Sequence, residues 1–230
     1  MKVKKLCHIY DIGLVDYAET SQLQEELMQL RIEGRIADVV LLLQHPPVLT
    51  IGASGGEENI IASRNMLDLQ DMPIMQTDRG GNITHHGPGQ LVGYLVFDLK
   101  DRGRDLHQYM RNLEEVVIRT LRDFGIEGSR DHEYPGVWVG QEKICAVGVR
   151  VRRWVTKHGF ALNVNNNLKA FSYINPCGII GRQVTSMQRL LGYNLKSEEV
   201  ISRVSQHLLQ IFDIHIEQRA LECLNGYNLR

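Results

Sequence analysis

The chain has 230 residues, 43% of them hydrophobic and 23% charged, with a formal net charge of −1 and a pI near 6.8. A core of ordinary size is within reach, charge alone gives no case for a nucleic-acid partner, and no apolar run approaches the roughly 20 residues of a membrane span. The amino terminus reads as a first strand with no cleavage site, which points to one cytoplasmic domain over residues 1–230.

Leu6 to Ile12 predicts a strand, and Asp16 to Glu33 a scaffold helix with Leu23, Leu27 and Leu30 on one face and Gly34 as the stop. Asp38 to Leu43 is a continuous apolar run short enough for a buried strand. His45-Pro46-Pro47 interrupts it, His45 reading as a loop residue, before Val48 to Ile51 resumes. Gly52 to Asn59 reads as a flexible connection able to act as a lid, and Pro73 to Thr77 and Leu91 to Leu99 as strands on either side of a distinctive stretch. That stretch, Asp78 to Tyr94, has five glycines and a proline in seventeen residues. It cannot be a regular helix, and its glycines permit close backbone approach to a ligand. Arg79, Thr84, His85, His86 and Gln90 add polar groups that a plain turn does not need. The spacing is neither a dinucleotide fingerprint nor a phosphate loop.

Asp105 begins the clearest helix, with Gln108 placed for a capping box and Leu106, Tyr109, Met110, Leu113, Val116, Val117 and Phe124 as a core stripe. Pro135-Gly136 introduces a strand, Val137 to Val139. Gly140 to Glu142 turns the chain back into Lys143 to Val151, and Gly159 to Val164 is a further strand. Asn165 to Asn167 is a polar turn, Asn175 to Gly178 a punctuated loop, and Ser197 caps a late helix carrying Val200, Ile201, Val204 and Leu208. The four cysteines form no CxxC pair. Cys7 and Cys223 read as small hydrophobes, whereas Cys177, between Pro176 and Gly178, has the setting of an exposed nucleophile. Such a thiol needs a cation or base nearby. By spacing Lys143 reads as an edge lysine, and Cys145 shares its face and is a rival nucleophile, although that face continues through Val147 and Val149 as core. His85 and His86 diverge in an extended backbone, so one can serve a site while the other packs. A Cys–His hydrolase, or a zinc site of Cys177 with His86 or His158, stays open on the residues alone.

Three blocks together resemble the lipoyl(octanoyl) transferase family: RGGNITHHGPGQLVGY from Arg79, KICAVGVRV from Lys143 leading to HGFALNV from His158, and NPCG around Cys177. HPPVLTIG from His45 and PGVWVG from Pro135 are also similar. Two positions depart from the pattern: His85 stands where an aromatic residue is usual, and Cys145 where a small residue such as Ala is usual. The resemblance implies an α+β fold, a mixed, largely antiparallel sheet with flanking helices, similar to the biotin and lipoate protein ligase catalytic domains. It implies Cys177 as acyl-accepting nucleophile and Lys143 as its proton-handling partner. Arg79, Gly80, Gly81, Asn82, Ile83, Thr84, His85, His86, Ala146, Val147, Gly148, Gly159, Phe160 and Ala161 would surround the acyl thioester, with no metal and no cofactor beyond the donor's own phosphopantetheine. The implied reaction is a two-step transfer of an octanoyl group from acyl carrier protein to a lysine of lipoyl domains, those of 2-oxoacid dehydrogenase E2 subunits and of glycine cleavage H protein. Arg150, Arg152, Arg153 and Lys157 are a solvated face or a rim that steers an acidic carrier. The competing readings are an ATP-dependent lipoate or biotin protein ligase and a non-catalytic carrier-binding module.

Overall fold

The computed structural model describes residues 5–175 and 183–219. In chain order these form β1 (Lys5–Leu14), α1 (Tyr17–Ile32), β2 (Asp38–Gln44), β3 (Val48–Ile51), α2 (Arg64–Asp68), β4 (Ile74–Gln76), β5 (Ile83–His86) and β6 (Gln90–Val96). They continue through α3 (Leu106–Asp123), β7 (Ser129–Arg130), β8 (Val137–Val139), β9 (Glu142–Arg152), β10 (Val155–Asn163), α4 (Met187–Leu191), α5 (Ser197–Ile211) and β11 (Ile214–Gln218).

The main sheet runs β11-β1-β2-β6-β10-β9-β8-β7. Its first three strands are parallel and every later pairing is antiparallel, so the sheet is mixed and largely antiparallel as expected. A small sheet, β4-β3-β5, lies beside it. The unbroken apolar run of β2 follows from burial on both faces. Val40 and Leu42 pack into the core beneath α3 and α5, while Val39, Leu41 and Leu43 pack into the opposite core with Leu27 and Met28 of α1. Asp38 opens this strand with its carboxylate buried between Arg31 Nε at 2.9 Å and Arg102 Nη2 at 2.8 Å.

The caps explain where the helices start. Asp16 accepts from the Ala18 N–H at 2.7 Å and Asp105 from the Gln108 N–H at 2.9 Å. The Gln108 side chain turns to Asn112 instead of back to the cap, so the expected capping box is half formed. Ser197, expected as the cap, is instead the first residue of α5; the cap position is Lys196, which makes no side-chain cap bond. The expected lid, Gly52 to Asn59, is stitched down: Gly52, Ala53 and Ser54 donate to the carbonyls of Asn82, Arg79 and Gly81, and the Asn59 carbonyl accepts from Asn175 N.

Candidate functional site

The glycine-rich stretch contains its own strand, β5, paired antiparallel to β3, rather than being loop throughout. Its first half lies across β9, where the Gly80 N–H donates to the Val149 carbonyl at 2.9 Å. Glycine at 148 makes this approach possible, since a Cβ there would stand 2.7 Å from the Gly80 oxygen. The Arg79 guanidinium reaches into the small sheet, donating to the Thr50 carbonyl at 2.6 Å and to Thr50 Oγ1 at 2.9 Å. It therefore ties the loop to β3.

A chain of buried polar contacts continues from that point. Thr50 Oγ1 lies 3.3 Å from His86 Nε2, and His86 Nδ1 lies 2.8 Å from Gln90 Oε1. Because the Gln90 oxygen only accepts, Nδ1 carries the proton and Nε2 accepts from the threonine hydroxyl. Gln90 in turn donates to Asn163, whose amide donates to the Thr185 carbonyl, and the Thr185 N–H donates to the Lys143 carbonyl. His45 is a loop residue as expected, yet fully buried: Nδ1 donates to the Val15 carbonyl at 2.7 Å and Nε2 accepts from the Tyr94 hydroxyl at 2.8 Å. Burial holds the pKa of His45 down and that of His86 well down, so both rings are neutral at physiological pH.

These elements enclose a cavity of about 440 Å³, in the range of small-ligand sites. Of the residues the sequence singled out, Arg79, Gly80, Gly81, Asn82, Ile83, Thr84 and His86 line it from the loop, Ala146, Val147 and Gly148 from β9, and Gly159, Phe160 and Ala161 from β10. Lys143 joins them. His85 does not: the alternation of β5 turns it to the other side, where its ring meets Phe171 edge-on at 5.4 Å between centroids beside a smaller cavity. Its expected place is around the acyl group; its ring instead points away from this cavity, as the divergence that adjacency in a strand requires dictates. Cys177 and Cys223 lie outside the described residues. Cys145 is fully buried in the main core and burial pushes its thiol pKa up, which removes it as a nucleophile. Cys7 is equally buried and also raised.

Lys143 is no edge lysine. It is 7% exposed, its ammonium donates to the Pro135 carbonyl at 2.9 Å, and it sits 4.8 Å from the centre of the Trp138 ring. His158, also in the cavity wall, has a left-handed backbone, φ 61°, held by Gln24 Oε1 on its N–H at 2.8 Å and by Asp78 on Nε2 at 2.9 Å. The His158 contact, then the neighbouring Lys157, hold the Asp78 carboxyl well below its usual range. With His86 and His158 engaged in this way, no cluster of three or more metal-ligating side chains occurs among the described residues. The expected basic rim is partly neutralised: Lys157 Nζ lies 2.8 Å from Glu25 and 3.1 Å from Asp78, and Arg152 lies 2.6 Å from Glu25.

Sequence reasoning missed Tyr17, Val92, Tyr94, Tyr134 and Pro135 in the cavity wall. It also assigned the whole α3 stripe to the core, although Leu106 and Met110 line the cavity. Their half-exposure is the physical difference, and periodicity carries no signal for it. No described helix is long and apolar enough to cross a membrane.

Residues 16–209 match the family model of the lipoyl protein ligase A/B catalytic domain. The chain is 48% identical over 87% of its length to an octanoyltransferase of Caldicellulosiruptor bescii, covering 89% of that protein, and 46% identical over 91% to one of Solibacter usitatus, covering 94%. Among solved structures, a chain of the bi-partite lipoate protein ligase and E2 lipoyl domain system of Thermoplasma acidophilum superposes with a TM-score of 0.73 at 13% identity, over 98% of this chain and 92% of that one. That likeness concerns the fold. By its sequence, the chain belongs to the lipoyl protein ligase A/B catalytic-domain family, among the lipoyl(octanoyl) transferases.

Proposed function

We propose that the protein is an octanoyltransferase that moves an octanoyl group from the phosphopantetheine thioester of acyl carrier protein to a lysine of a lipoyl domain. The observation that carries this reading is the meeting of the Lys143 ammonium with a mainly apolar cavity built from the residues of the family's motifs. In the first step the Cys177 thiolate attacks the carrier thioester. The carbon–sulfur bond to phosphopantetheine breaks, and the departing thiolate takes a proton from Lys143. In the second step a neutral acceptor lysine attacks the enzyme thioester; an amide forms, Cys177 leaves as thiolate, and Lys143 receives the amine's surplus proton. One thioester replaces another in the first step, so no ATP and no cofactor are required. The backbone N–H groups of the glycine-rich segments are the natural oxyanion donors.

Leu106 and Met110 of α3 line the cavity; His107 and Arg111 stand exposed on the same helix, and Arg104 stands exposed in the turn just before its cap. We assign this ridge, rather than the Glu25-paired Lys157 and Arg152, to the acidic carrier protein. The test is transfer from octanoyl carrier protein to a lipoyl domain of an E2 subunit or of the glycine cleavage H protein, with and without ATP. Acceptor acylation without ATP supports transfer; acylation only from free octanoate with ATP makes the protein a ligase.

A further inference from the structure

Glu114 interrupts the apolar face of α3, four residues after Met110 and three before Val117, and it is 7% exposed. A carboxylate so placed needs partners. Its Oε1 accepts from the Gly136 N–H at 2.9 Å, and its Oε2 lies 3.2 Å from Arg130 Nε. Gly136 belongs to a short strap, Tyr134-Pro135-Gly136, that leads into β8. Its φ is 127° and a Cβ there would stand 2.4 Å from the Cys145 carbonyl oxygen, so only glycine lets the strap lie against β9. Two carbonyls of the strap are engaged beside the lysine. Pro135 accepts from Lys143 Nζ, and Tyr134 accepts from the Trp138 indole at 3.3 Å, the ring beside which the same ammonium rests. Proline has no N–H, so the Gly136 N–H is the donor through which α3 can hold the carbonyl that meets Lys143.

We propose that Glu114 is a positioning residue for Lys143: by accepting the Gly136 N–H it fixes the strap and so fixes where the ammonium points. The proposal rests on the reading of Lys143 as the proton-handling group of the transfer. A lysine on a flexible four-carbon stem takes its direction from its acceptors, and a displacement of about 1 Å at a catalytic group costs on the order of 100-fold in rate.

Two single substitutions separate reach from charge. Glu114→Gln keeps an oxygen within reach of Gly136 and loses the charge; Glu114→Asp keeps the charge and withdraws the oxygen by one methylene. Two measurements are made on the full chain. The first is trace labelling of Lys143 by acetic anhydride between about pH 7 and 11, read by peptide mass spectrometry. The second is the rate of octanoyl-enzyme formation from octanoyl carrier protein. The expected result is wild-type behaviour within about threefold for Glu114→Gln. Glu114→Asp should label Lys143 about fivefold or more faster and form octanoyl-enzyme about 10- to 100-fold more slowly. Wild-type labelling and rates in Glu114→Asp, with losses confined to Glu114→Gln, would overturn the proposal and make Glu114 a purely electrostatic group. A wild-type chain that forms no octanoyl-enzyme counts against the transferase reading alone, because the order of the labelling rates still decides the placement of Lys143.

Discussion

The substitution His85→Phe should flatten the acid limb of stability. His85 is 4% exposed, packs edge-on against Phe171, and is pulled by burial to a pKa of about 4 from an ordinary 6.5. Below pH 6.5 the unfolded chain takes up a proton at this ring and the folded chain does not. The stability linked to His85 is therefore present above pH 6.5 and lost progressively down to about pH 4. Each pH unit is worth about 1.4 kcal/mol, so this one ring accounts for about 2 kcal/mol by pH 5 and about 3 kcal/mol over the whole window. His8, His45, His86 and His158 are also lowered, chiefly by burial, and steepen the curve in both proteins; of these only His86 is coupled to His85, through the last and smallest of its causes. Urea unfolding at pH 7.5, 6, 5 and 4.5 for wild type and His85→Phe measures the difference directly. Phenylalanine meets the aromatic habit of the family at this position and fills nearly the same space, so the gap between the two curves should open only as the pH falls. Parallel curves from pH 7.5 to 4.5 would refute the reasoning, and so would a gap that closes on acidification.

Other consequences are equally direct. Gly148→Ala puts a methyl group 2.7 Å from the Gly80 oxygen, so the glycine-rich loop must lift from β9; a stability loss of about 1–3 kcal/mol by thermal melting and a fall in transfer rate should appear together. Asp38→Ala leaves Arg31 and Arg102 without their shared buried carboxylate and should cost about 3–5 kcal/mol in chemical denaturation. Replacing Met110 by Trp narrows the cavity from α3 and should shift donor preference towards chains shorter than octanoyl, measured by competition between carrier thioesters. Arg104→Glu with Arg111→Glu should raise KM for octanoyl carrier protein about tenfold while hydrolysis of a small octanoyl thioester is unchanged.

How far the sequence reached depended on which forces a pattern records. The unbroken apolar run of β2 announced a strand buried on both faces, and the asparates before Ala18 and Leu106 announced helix starts, because capping and burial act over a few adjacent residues. The divergence of His85 and His86 was also legible, since it follows from the two-residue period of a strand, but which of the two faces the cavity depends on where β3 and β6 lie. Lys143 read as an edge lysine by spacing, and it is buried because the strap from Tyr134 to Gly136 closes over it, a contact that β8 and β9 create only on pairing. Glu114 carried a signal that the stripe reading passed over, a charge at the buried positions of a 3.6-residue repeat. The Glu25, Asp78 and Lys157 cluster had none, for its members come from α1, the glycine-rich stretch and β10.

The most direct test of the account is the intact mass of the protein after mixing with octanoyl carrier protein, without acceptor or ATP, alongside Cys177→Ala and Cys145→Ala. The account predicts one octanoyl increment, labile to hydroxylamine, that is kept in Cys145→Ala and lost in Cys177→Ala. No increment in the wild type, with acceptor acylation proceeding only from free octanoate and ATP, would contradict it.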